Sequence, residues 1–107
     1  MKGVCDTLAG EGYHVIMPDV HRGKTAEGEA DLLGWVAGNS GWEEVLSADF
    51  EAIMQEFERV GVTSVGALGF CWGAWAWAKA AASGIDLKAC AACHPSIKLE
   101  EYDVNEF

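Results

Sequence analysis

Basic residues and prolines are scarce in this chain of 107 residues, which has 7 Lys and Arg against 17 Asp and Glu, and only 2 Pro. A formal net charge of −10 repels phosphates and anionic lipids, so binding to nucleic acid or to a membrane surface is not expected. No apolar run reaches the roughly 18 residues of a membrane span. The first six residues also lack the apolar core of a signal peptide. These absences predict a cytoplasmic protein.

Cysteine and glycine are well represented, with 4 Cys and 13 Gly. Thiols in a chain without a signal peptide favour reduced cysteines over a disulfide framework. The glycines indicate tight turns and close backbone approaches. With 50% hydrophobic residues, a chain of this length can bury a core and forms one domain or part of one.

Helical and extended patterns alternate along the chain. We predict helices at about 2–11, 42–60 and 72–82, and strands at 13–17, 62–69 and 87–93, the last two of them buried. Such alternation is typical of parallel strands joined by right-handed helical crossovers. The predicted fold is therefore a three-layer α/β core with a parallel sheet, incomplete at about three strands and three helices.

Two connecting features complete this outline. Residues 23–41 form a long, glycine-punctuated connection in which residues 31–36 could make a short helix or a flap. Ser40 and Glu43 have the spacing of a capping box at the start of the second helix, which Gly61 is expected to end. The acidic face of that helix is predicted to be a solvated surface and not a metal site.

The segment with the clearest chemistry is Gly-Phe-Cys-Trp-Gly at residues 69–73, between a predicted strand and a predicted helix. This is the context of a nucleophile elbow with Cys in place of Ser. Gly69 and Gly73 would let the strand and helix backbones approach closely. Cys71, at a helix N-terminus, would be favoured as thiolate, and the Trp72 N–H would face a developing oxyanion. A buried structural cysteine in a glycine-rich strand end is the alternative interpretation.

A second cysteine motif, Cys-Ala-Ala-Cys-His, occupies residues 90–94 and matches the attachment pattern of c-type haem. Zinc binding through Cys90, Cys93 and His94 would need a fourth ligand and a turn between the cysteines. Because both cysteines fall in a predicted buried strand, we expect them to pack in the core. No cofactor and no metal are therefore predicted.

Two of the three histidines lie near the first predicted strand. His14 is inside it and is expected to be a packed or edge residue. His21 and Arg22 follow its carboxyl end, where parallel α/β sheets bind ligands. Arg22 could pair with a substrate carboxylate or form a salt bridge within its loop.

Three segments, in the right order, resemble the dienelactone hydrolases, small α/β hydrolases with a Cys nucleophile. Residues 8–13 lead through Pro18 and Asp19 to the Arg-Gly-Lys-Thr of residues 22–25; residues 69–73 resemble the family's elbow; and residues 94–96 resemble the segment after the next strand. The resemblance covers nearly all of residues 5–98. Ala74 departs mildly from a second glycine often found after the elbow.

The resemblance implies hydrolysis of a small carboxylic ester or lactone, with Cys71 as nucleophile, the Trp72 N–H in the oxyanion hole, and His21 or Arg22 orienting an acidic substrate. It also implies that a triad acid and histidine follow the nucleophile along the chain. His94 is the only histidine after Cys71, and it lies just beyond the adjacent strand. We therefore interpret residues 1–107 as a partial dienelactone-hydrolase-like domain, the central part of the fold.

The sequence is compatible with three kinds of protein. The first is an enzyme that acts on a small-molecule ester or lactone, and the second is a catalytically inactive fragment or interaction module that keeps the hydrolase core without its triad. The third and weaker alternative is a c-type haem protein. The resemblance also implies a family strand between the first two predicted strands that these residues do not supply, so self-association through unpaired sheet edges is expected.

Overall fold

A computed structural model describes residues 2–31, 34–35 and 45–95. Within these ranges the chain forms helices α1 (Lys2–Gly10), α2 (Ser47–Arg59) and α3 (Trp72–Ala82), and strands β1 (Gly66–Phe70) and β2 (Ala89–Cys93). The chain divides into two compact units, residues 1–41 and 42–107. Among the described residues, no helix has both the length and the apolar character needed to cross a membrane.

Helices α1, α2 and α3 end in the same glycine-dependent way. Gly12, Gly61 and Gly84 follow α1, α2 and α3 with φ between 86° and 96°. At each end the glycine N–H and the next N–H donate to carbonyls of the last helical turn, as in Gly61 to Glu58 and Val62 to Phe57. This is the Schellman arrangement, which needs a left-handed residue that glycine adopts at little cost. The predicted helix ends are confirmed.

Helix α2 supplies the largest apolar side chains of the core. Phe50, Ile53 and Phe57 are buried at helical spacing, and Leu46 just before the helix is fully buried. The Phe50 ring lies 4.5 Å from the ring of Trp77 on α3. Glu51 and Glu58 are exposed, as predicted for a solvated acidic face. The proposed capping box at residues 40 and 43 lies outside the described residues, as do Leu32, Leu33 and Val36 of the possible flap.

β1 and β2 form a parallel pair in which Gly66 is the partner of Ala89 and Phe70 of Cys93. Helix α3 connects them and packs against both, so this unit is the predicted βαβ crossover. The strands start later than the sequence suggested. Their pairing begins where Lys88 donates its N–H to Val65 O at 2.8 Å, immediately before the first ladder pair, and residues 62–64 have no β2 residue opposite them.

The predicted strand at residues 13–17 is wrong, because these residues carry no strand pairing and the sheet of the described chain has two strands. A strand is maintained by hydrogen bonds to a neighbouring strand, and the apolar residues of 13–17 supply only the side-chain pattern. The α/β class is supported, with two parallel strands and three helices over the described residues rather than three of each.

The predicted burial of β2 is also wrong. Ala89, Cys90, Ala91 and Ala92 are exposed and Cys93 is half-buried. In the described residues β2 pairs with β1 along one edge only. Within the described part of the chain its second edge and much of its surface are therefore uncovered, so its small apolar residues do not indicate core packing.

Candidate active site

Cys71 is the single residue between the last residue of β1 and the first residue of α3. Its backbone has φ 52° and ψ −117°, a region that side-chain-bearing residues rarely occupy. Its N–H donates to Cys93 O at 3.0 Å, and its own carbonyl accepts from the Ala74 N–H at 3.2 Å. The chain thus turns sharply from strand to helix at one strained residue, which is the backbone form expected of a nucleophile elbow.

The strand–helix approach depends on Gly69 and not on Gly73. A Cβ atom at Gly69 would lie 2.6 Å from backbone atoms of Gly73 and Ala74. At Gly73 a Cβ would meet nothing within 4 Å. The expectation that both glycines are required by crowding is therefore corrected: the glycine two before Cys71 faces the helix start, while the glycine two after it faces open space.

Cys71 is an exposed residue, so the alternative interpretation of a buried structural cysteine is wrong. The thiol stands at the positive end of the α3 dipole, which favours an anion. Trp72 is the first residue of α3, and amides of a first turn point out of the helix start. The Trp72 ring is half-buried against the Trp75 ring, with centroids 5.8 Å apart.

The end of β2 brings His94 to the same edge of the sheet as Cys71. Because Phe70 is the partner of Cys93, the next positions on the two strands are Cys71 and His94. His94 also has a positive φ of 38°, and its ring lies 6.4 Å from the Phe70 ring. The sequence contains a signal for this placement of His94, because this residue follows the strand next to β1 and adjacent parallel strands end at one edge of a sheet.

Cys90 and Cys93 do not form a common binding site. Residues three apart in a strand point to opposite faces, whereas a haem or a zinc ion needs both thiols on one side. No group of three or more His, Cys, Asp or Glu side chains in the described ranges is arranged to hold a metal ion. Burial raises the pKa of the Cys90 thiol, which makes it a poorer nucleophile than an ordinary thiol near pH 7.

His21 and Arg22 lie in a turn of the unit formed by residues 1–41. The Asp19 carboxylate accepts the Gly23 N–H at 2.7 Å, and the Arg22 guanidinium donates to Val20 O at 3.0 Å. Arg22 has a φ of 54°. The His21 ring lies 5.0 Å from the Trp35 ring. The turn thus holds Arg22 by a backbone contact.

His14, in contrast, is exposed and belongs to no strand, so its predicted role as a packed or edge-strand residue is corrected. The difference follows from the absence of strand pairing at residues 13–17, which was the reason for expecting it to pack.

Comparison with protein families gives a match over residues 1–106 to the dienelactone hydrolase family. The chain belongs to the dienelactone hydrolase family. Membership implies the α/β-hydrolase fold, of which the βαβ unit with its elbow is a consistent but incomplete part. Neither the curated proteins nor the solved structures that were compared with the chain match it.

Proposed function

We propose that this dienelactone hydrolase family member cleaves small carboxylic esters or lactones, with Cys71 as the nucleophile. The observation that carries the proposal is the backbone of Cys71, which sits at φ 52° between a strand and a helix with its residue exposed. Such strain persists only where the surrounding structure imposes it, and it is concentrated at functional sites.

The chemistry follows from this placement. The Cys71 thiolate adds to the carbonyl carbon of the ester and forms a tetrahedral oxyanion, towards which the Trp72 N–H would point. Collapse of that intermediate breaks the bond to the leaving oxygen, which takes up a proton, and leaves a thioester on Cys71. Water then hydrolyses the thioester, a step that requires a base to take the water proton.

The substrate class rests on the family and on two basic side chains of one turn. Arg22 and Lys24 stand two positions apart in a chain of net charge −10, and the Asp19 carboxylate of the same turn accepts the Gly23 N–H. A carboxylate on the substrate would find its complement there, and we propose that Arg22 or His21 orients an acidic ester or lactone. The family places the triad acid and histidine after the nucleophile, and residues 72–107 contain one histidine, His94.

Acylation stoichiometry tests this function. We expect residues 1–107 to release about one equivalent of nitrophenol from p-nitrophenyl acetate quickly and to turn over more slowly afterwards, because hydrolysis of the thioester requires a base that activates water. Cys71→Ala should abolish the burst, whereas Cys90→Ala, which removes another thiol of an exposed residue, should leave it intact. The same reaction in urea gives the reactivity of unstructured thiols.

A burst that survives in Cys71→Ala would place the nucleophile elsewhere. A native protein that acylates no faster than the urea-unfolded chain would favour the alternative of an inactive module, for which the uncovered strand β2 is the supporting feature. Sustained turnover at many equivalents would identify a base among residues 1–107.

A further inference from the structure

Both chain neighbours of Cys71 carry aromatic rings, and each of these rings packs against a second ring. Phe70 ends β1, and its ring lies 6.4 Å from the His94 ring. Trp72 begins α3, and its ring lies 5.8 Å from the Trp75 ring at an angle of 45°. These residues all belong to one compact unit of the chain. A group attached to the Cys71 sulfur therefore starts between two aromatic residues.

The geometry of α3 places two indoles at the helix start. Side chains of a helix lean towards its N-terminus, so the indole of Trp72, the first helical residue, stands at the end of α3 that begins with Cys71. Trp75 lies three positions later on the same side of the helix, and its ring packs against that of Trp72. Trp77 lies about 140° around the helix from Trp72 and packs against Phe50 instead. The rings of Trp72 and Trp75, the indole pair, are thus separate from the aromatic packing of the core.

We propose that the indole pair is the acyl subsite of the proposed hydrolase and that it selects esters of aromatic carboxylic acids. Aromatic rings pack on one another in offset or tilted arrangements that stabilise a contact beyond its buried area. Both indoles are half-buried, so part of each surface is accessible to a ring carried by the substrate. A saturated acyl group of the same size lacks this interaction. The inference rests on the proposed function, because it concerns the acyl group that Cys71 would accept.

The elements around the indole pair place little charge near the helix start. Strand β1 has no titratable side chain, and the charged residue of α3 is Lys79, which lies in the last turn of the helix. A charged acyl group would therefore find no opposite charge on these two elements, whereas an uncharged ring finds an aromatic surface. This favours an uncharged aromatic group next to the Cys71 sulfur.

The first test uses two alkylating reagents that share one reactive group, N-benzyl iodoacetamide and N-(cyclohexylmethyl) iodoacetamide, with the product read at each cysteine by peptide mass spectrometry. In the native chain the benzyl reagent should be preferred at Cys71 by about threefold. Cys90 is the internal reference, because its two neighbours on β2 are alanines, and it should react with both reagents at similar rates. Equal ratios at Cys71 and Cys90 would overturn the proposal, and this comparison needs no variant to fold.

Variants identify the rings that cause the preference. Trp72→Leu should lower the ratio at Cys71 to that at Cys90, whereas Trp72→Phe keeps a ring and should retain a preference of about twofold. Trp77→Leu is the matched control, because it removes an indole from the core side of the same helix and should leave the ratio unchanged. A preference that survives in Trp72→Leu would overturn the assignment. A preference that is lost only in Phe70→Leu would do so too, because the ring at the end of β1 would then carry it.

Ester acylation extends the test to the proposed reaction. The bursts from p-nitrophenyl benzoate and p-nitrophenyl cyclohexanecarboxylate are compared in the native protein and in Trp72→Leu, so that the intrinsic reactivities of the two esters cancel. The ratio of the benzoate rate to the cyclohexanecarboxylate rate should fall about threefold in the variant. Bursts from both esters with an unchanged ratio would remove the aromatic subsite alone. A benzyl preference at Cys71 without a burst from either ester would keep the subsite and remove the hydrolase function.

Discussion

At the scale of single residues, Cys71 combines a reactive group with an unfavourable backbone. A non-glycine residue at φ 52° and ψ −117° costs about 1–3 kcal/mol. Glycine occupies positive φ without that cost. The backbone alone would favour glycine at this position, and the cysteine found there is what the proposed nucleophilic role would require.

Replacing Cys71 with glycine should stabilise the protein while removing the nucleophile. We expect Cys71→Gly to exceed Cys71→Ala in free energy of unfolding by about 1 kcal/mol, the relief of strain minus the entropy that glycine gains on unfolding. Urea denaturation of the two variants measures the difference, and neither has a thiol at this position. Equal stability of the two would mean that the chain does not hold a strained elbow in solution.

At the scale of elements, the junction of β1 and α3 leads us to predict different effects on stability for substitutions at the two glycines of one motif, Gly69 and Gly73. Gly69→Ala should destabilise the protein by about 2–4 kcal/mol, because its Cβ would lie 2.6 Å from the backbone of the helix start, which cannot move aside as a side chain can. Thermal and urea unfolding measure the loss.

Gly73→Ala is the matched control, since it adds the same methyl group to the same motif. Its Cβ meets nothing within 4 Å, and Ala is favoured over Gly in a helix by up to about 1 kcal/mol. We therefore expect Gly73→Ala to leave the free energy of unfolding unchanged or to raise it slightly. Similar losses in both variants would contradict the close approach at Gly69 and restore the symmetric crowding that the motif suggested.

The sequence predicted helices better than strands, and the reason is physical. A helix closes its hydrogen bonds within itself, so the spacing around Phe50 and the glycines at 61 and 84 sufficed to predict α2 and α3. A strand needs a partner. The apolar residues of 13–17 have the composition of a strand, but the described chain gives them none, and the limits of β1 and β2 are set by their mutual register.

The candidate site also has one part that the sequence predicts and another that depends on strand pairing. The sharp turn from β1 to α3 could be predicted because one short motif contains Cys71 and the glycine at the closest approach of strand and helix. The order of the elements indicates that His94 and Cys71 lie at the same edge of the sheet, but the register that brings them level depends on which residue of β2 faces Phe70, and the sequence does not specify that residue. The exposure of Cys90 depends likewise on what covers β2, which its own sequence does not specify.

At the scale of the whole molecule, the open edge of β2 should govern assembly. A strand with unpaired backbone groups and small exposed side chains is a template for another strand. We predict that the protein is oligomeric at micromolar concentration, and that Ala91→Lys shifts it towards monomer in light scattering, because a lysine on an edge strand opposes pairing. Ala81→Lys adds the same charge at an exposed position of α3 and should not change the mass.

A monodisperse monomer of the native chain would contradict edge pairing. Equal effects of the two lysines on the mass would instead indicate that net charge controls assembly, because each substitution reduces the magnitude of the net charge of −10 by one.

The proposed function depends most directly on whether Cys71 is the reactive thiol of the native protein. Limited iodoacetamide treatment at pH 7, followed by site-resolved mass spectrometry, compares Cys71 with Cys5, Cys90 and Cys93 in one sample. We predict that Cys71 is alkylated at least about tenfold faster than the others, because its residue is exposed at a helix start whereas Cys5 and Cys93 are half-buried. Burial raises the pKa of the Cys90 thiol, so Cys90 should react slowly at pH 7 and faster as the pH rises. Equal labelling of all four cysteines in the folded protein would contradict a formed nucleophile elbow.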